Sequence, residues 1–126
     1  MADMTLLVTK RLAWRASLGA EDVEKLNAEK AAWGAEETKG ERMAEFGATF
    51  AAADTNGDGL LVRAEFEDFM GKLGANSAAR DVPFQPHSDY SDAEKDTVFE
   101  CFNAHTAGAA GVSASDFFAV MGALTV

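Results

Sequence analysis

The chain has almost nothing with which to staple or break itself. It carries a single cysteine, Cys101, so no disulfide can form within it. We expect a reducing, cytoplasmic setting. It has two prolines, Pro83 and Pro86, both in one short segment. Elsewhere nothing forbids helix, and Ala, Glu, Lys, Leu and Met, all good helix formers, dominate. No stretch approaches the roughly 20 apolar residues of a membrane span, and the opening residues make a poor signal peptide. Position 2 is Ala, which leaves no myristoylation signal. Membrane association is not expected. Basic charge is scarce too. Eleven Lys and Arg face 21 Asp and Glu, a formal charge of −10. That balance argues against nucleic acid, whose phosphates need cations. It suits a protein that collects cations or meets a basic partner.

What is present points to an all-α protein. Nine Phe, two Trp and five Met supply a core. Apolar residues at helical spacing predict helices over 3–18, 20–34, 41–53 and 63–73, with a break within 34–40. Residues 74–91 lack a helical period, hold both prolines and are expected to link two halves. Ser91 with Glu94 forms a capping-box signal for a fifth helix running to about Phe102. Ser113 or Ser115 can cap a last one bearing Phe117, Phe118, Val120, Met121 and Leu124. The second half therefore repeats itself as helix, short loop, helix, twice. Its organisation reads as a helical N-terminal extension, 1–40, then a paired region, 41–126, divided as 41–73, 74–91 and 92–126.

The loop "DTNGDGLLVRAE", Asp54 to Glu65, carries the chemistry. Acids at alternate places of a turning loop aim several oxygens at one centre. A glycine lets the backbone double back, and a later Glu can close the cage. Asp54, Asn56, Asp58, Gly59 and Glu65 occupy the first, third, fifth, sixth and twelfth places of twelve. This loop resembles an EF-hand calcium loop, and residues 41–73 resemble the helix–loop–helix unit around it. The resemblance implies Ca²⁺ as the ion. It implies side-chain oxygens from Asp54, Asn56 and Asp58, the carbonyl of Leu60, and bidentate Glu65. It also implies that Leu61, at the eighth place, makes a short β-contact with a paired hand. Val62, at the ninth place, offers no side-chain ligand.

The second loop departs from this pattern. "NAHTAGAAGVSASD", Asn103 to Asp116, is 14 residues long and has one carboxylate, Asp116. It reads as a degenerate hand that keeps its helices and a β-contact through Val112 but not the metal. His105 and His87 read as exposed loop histidines. The two loop starts are 49 residues apart, wider than in familiar paired hands.

The first helix is basic and amphipathic, with Lys10, Arg11 and Arg15 beside Leu7, Val8, Leu12, Trp14 and Leu18. Residues 1–20 carry +2 and residues 51–126 carry −8. This helix, anchored by Trp14, is expected to cover the apolar groove of the paired hands, a place where a helix of a protein target could also dock. No catalytic constellation is visible, and Cys101 reads as a buried, inert thiol. The expectation is a non-enzymatic calcium sensor or regulatory module. The alternatives are a calcium buffer and a structural adaptor of light-chain type.

Overall fold

A computed structural model of the chain describes residues 4–104 and 110–123. These form six α-helices: α1 (Thr5–Ala16), α2 (Ala20–Gly34), α3 (Lys39–Ala53), α4 (Arg63–Ala79), α5 (Asp92–Asn103) and α6 (Ala114–Ala123). A short 3₁₀ turn, His87–Asp89, precedes α5. The described residues contain no strand beyond one isolated antiparallel bridge, Leu61 to Val112. Among them, no helix is long and apolar enough to cross a membrane.

Local chemistry sets most helix ends. At Ser17 the hydroxyl donates to Trp14 O at 2.6 Å, closing α1. Gly19 is extended, with ψ 166°, and starts α2. Ala35 is extended as well, ending α2, and Thr38 donates its hydroxyl back to Ala32 O at 2.6 Å. Ser91 and Glu94 form the reciprocal cap of α5: Glu94 N donates to Ser91 Oγ at 3.2 Å, and Ser91 N to Glu94 Oε1 at 2.9 Å. At α6 the capping residue is Ser113, whose Oγ accepts from Asp116 N at 3.1 Å.

The expected end of the fourth helix, at 73, is overturned: α4 continues to Ala79 and absorbs the start of the proposed linker. Residues 74–79 lack a helical period in the sequence, yet tertiary contacts carry the helix through them. The ring of Phe84 packs against Gly74. Asn76 Nδ2 donates to Thr49 Oγ1 at 2.9 Å, and Ser77 is buried. Asp81 then takes φ 56°, the left-handed place usually given to glycine, and Val82 N reaches back to Ser77 O at 2.9 Å.

One aromatic core joins the two helix–loop–helix units. Phe66 and Phe69 of α4 and Phe102 of α5 are fully buried. Phe66 lies 5.0 Å from Phe102 and 5.6 Å from Phe99, centroid to centroid. Phe46 of α3 meets Phe69 at 5.3 Å and Phe118 of α6 at 4.4 Å. Each such side chain contributes about 1.5–3 kcal/mol by leaving water. Cys101 is buried in this core.

The N-terminal helices pack onto the same core, and of the apolar face expected for α1 the part around Leu7 is buried, with Met4 and Val8 against the core. Leu7, not Trp14, is the buried anchor of α1, and α1 lies against α5. Trp14 is half-buried with the Arg11 guanidinium 4.8 Å above its ring, and Leu12 is 50% exposed. Met4, Leu6 and Val8 flank Leu7, so the buried stripe is rotated toward the helix start. Lys10 secures the contact by donating to Asp89 O at 3.1 Å and pairing with Glu94. In α2 Trp33 packs edge-on against Phe46 and Phe118.

Candidate metal centre

The first loop leaves α3 at Asp54, whose N–H still bonds to Phe50 O at 2.9 Å. The chain then reverses through Gly57 (φ 68°) and Gly59 (φ 80°), conformations that glycine adopts without a Cβ penalty. The reversal brings Gly59 N to 2.7 Å from Asp54 Oδ2. Asp58 Oδ1 accepts from Leu60 N at 3.0 Å. Asn56 and Asp58 meet through two contacts of 3.4 Å, Asn56 Nδ2 to Asp58 Oδ2 and Asp58 N to Asn56 Oδ1. Asp54, Asn56 and Asp58 therefore share one tight turn, held by main-chain donors.

The other oxygen of Asp54 is different. Asp54 is only 8% exposed, and its Oδ1 is buried with no hydrogen-bond partner among the described residues. A buried carboxylate oxygen without a donor is costly, so it is an acceptor in need of a positive group. Asn56 and Asp58 of the same turn bring side-chain oxygens, the kind of ligand a hard divalent cation takes.

Glu65 sits in the first turn of α4 and faces the loop from the other side. Its Oε2 accepts from Thr55 Oγ1 at 2.7 Å and Thr55 N at 2.9 Å, and its Oε1 from Val62 N at 3.0 Å. The Thr55 hydroxyl, then the Val62 and Thr55 amides, hold its pKa below the ordinary glutamate range, so it is ionised at neutral pH. Among the described residues, no three His, Cys, Asp or Glu side chains are gathered as a metal-binding group. The structure thus brings Asp54, Asn56 and Asp58 together and leaves Glu65 docked on Thr55. Leu60 is half-buried beside them, and Val62 is 45% exposed.

Leu61 and Val112 exchange hydrogen bonds of 2.9 and 2.8 Å, joining the two loops at the residues the sequence singles out. Both are fully buried. Gly111 makes that approach possible: a Cβ there would fall 2.8 Å from Leu61 O. In the second loop Asn103 Oδ1 is buried and, among the described residues, unpartnered, as Asp54 Oδ1 is. Asp116 is buried in the first turn of α6. His105 lies outside the described residues. His87 is not an exposed loop residue. It is half-buried with its ring 6.1 Å from Phe66 and 5.9 Å from Tyr90, and both its nitrogens are buried without partners.

Thr55 and Gly111 are residues that motif reading passes over. Thr55 occupies a place the ligand pattern leaves open, and Gly111 matters only once the loops are side by side. No protein-family model matches the chain, and neither curated proteins nor solved structures give a match.

Proposed function

We propose that this chain is a non-enzymatic calcium-binding protein of EF-hand type with one working loop and one that has lost its ion. The observation that carries the reading is Asp54 Oδ1, buried and unpartnered in a turn that also holds Asn56 and Asp58. Asn103 repeats the orphan oxygen, but nothing like Asp58 or Glu65 accompanies it in sequence. Asp54, Asn56, Asp58, the Leu60 carbonyl and Glu65 would hold the ion. Bound there, Ca²⁺ would supply the positive charge that three carboxylates and a buried oxygen ask for.

The arrangement of Glu65 favours a sensor over a buffer. To give both oxygens to an ion, Glu65 must loosen its bonds to Thr55 and Val62. It is fixed on α4, one residue before the buried Phe66, so that change is passed to the core. A site that must move part of the core to bind its ion converts binding into shape.

Calorimetric calcium titration of the native chain and of Glu65→Gln tests the assignment. We expect one site per chain, weakened about tenfold or more in the variant. A native chain that takes up no calcium at millimolar concentration ends the reading. Tryptophan fluorescence and circular dichroism with chelator, magnesium and calcium separate the roles. A calcium-specific change supports a sensor; binding without change means a buffer.

A further inference from the structure

Away from the loops, a cavity of about 350 Å³ opens among α2, α3, α4 and α6. Small-molecule sites run from roughly 300 to 1,000 Å³. Its floor is apolar: Trp33, Phe46, Phe117, Phe118 and Met121. Its rim is charged, and of the opposite sign to the rest of the chain. Arg11, Arg15, Lys30 and Arg80 reach it, against only Glu29 and Glu45, in a molecule of formal charge −10. Both carboxylates are already committed. Glu29 pairs with Arg42 and Arg80 at 2.9 and 2.7 Å, and Glu45 pairs with Arg80.

Two of the cations have unused capacity. Arg80 Nε is buried at this wall with no acceptor, although its terminal nitrogens are engaged. Arg11 stacks over Trp14 and has no carboxylate partner among the described residues. Burial, then the neighbouring Arg15, hold its pKa below the ordinary arginine value. A partly desolvated guanidinium beside an aromatic floor gains from an anion that brings its own apolar body.

We propose that this cavity binds a small amphipathic carboxylate, its hydrocarbon over Phe46 and Phe118 and its head group at the basic rim of Arg11 and Arg80. A neutral analogue would leave the guanidinium donors unanswered. A cationic one would meet like charge.

The full chain is titrated calorimetrically with decanoate, decanol and decyltrimethylammonium, each below its micelle concentration. Saturable binding of one decanoate per chain is expected, about tenfold or more tighter than decanol, with no binding of the cation. Arg11→Gln should weaken decanoate about tenfold, and Leu26→Trp, which fills the cavity from α2, should abolish binding. Amide and indole NMR shifts should centre on Trp33 and Phe118. Absence of saturable decanoate binding overturns the proposal. So does decanol binding as tightly as decanoate, an unchanged affinity in Arg11→Gln, or shifts that leave Trp33 untouched. Should Leu26→Trp misfold, the head-group series and Arg11→Gln still decide.

Discussion

The two loops are built on the same frame and filled with different chemistry. Each follows a helix ending in buried aromatic side chains, each begins with a residue whose Oδ1 is buried and unpartnered, and the two meet at Leu61 and Val112. The first then supplies Asn56, Asp58 and Glu65, while the second has no carboxylate until Asp116. The helices and the bridge therefore do not depend on the loop's oxygens. Packing maintains the frame, and side-chain oxygens are an addition that one loop has and the other lacks. The difference separates what folds this region from what we propose it binds.

The largest effect should come from breaking what the two units share. Phe66→Ala removes a ring in contact with Phe99, Phe102 and His87 and should cost about 3–5 kcal/mol, read as a fall in the urea midpoint. If the two units were independent, only one of two transitions would move; a single shifted transition is expected. Gly111→Ala attacks the bridge alone. Its Cβ would crowd Leu61 O at 2.8 Å and Leu60 Cβ at 3.0 Å, costing about 1–3 kcal/mol. Calcium affinity should fall with it, although Gly111 contributes no ligand. An unchanged calcium titration would mean that the second loop does not support the first.

A smaller effect is expected from pH. Burial, then Lys95, hold the His87 imidazole below its ordinary pKa, against the opposing pull of Glu67. Because the folded value is depressed, the neutral ring's contribution is complete above the ordinary imidazole pKa and is lost as pH falls through the folded value. Native protein should therefore lose stability between pH 7.5 and pH 5.5 by a component that His87→Phe removes, measured as the change in urea midpoint. The smallest effect sharpens the comparison most. Asn103→Asp restores an acid at the first place of the second loop, yet titration should still find one calcium per chain, since the third, fifth and closing carboxylates are missing.

Most of the helical architecture was legible because local rules and tertiary packing agree. Ser91 with Glu94 announces α5 and its cap forms as expected. Leu61 and Val112 were readable as partners from their places in the two loops. Failures fall where distant contacts decide. Residues 74–79 read as the start of a linker, but Phe84, Thr49 and the acids that hold Arg80 keep α4 intact through them. The apolar face of α1 is readable in Leu7 and Val8, but not that Leu7 rather than Trp14 is its anchor, which packing against α5 decides. At the candidate centre the spacing of oxygens was plain in the sequence. The docking of Glu65 on Thr55 was not, since Thr55 is defined as a partner only by the folded loop.

Arg80 gives α4 a mechanical character. Just past the last turn of that helix, its guanidinium is clamped to Glu29 of α2 and Glu45 of α3. Burial alone would push Glu29 up, but the bonds from Arg42 and Arg80 outweigh it and hold that carboxylate below its usual range, so the clamp stays charged well into acid. Glu65 stands at the opposite end, about 20 Å away along the rod. At that end Arg63 pairs with Asp96 and Lys95 with Glu67, so the rod is tied to α5 as well as to α2 and α3. The buried rings of Phe66 and Phe69 sit on a span anchored at both ends.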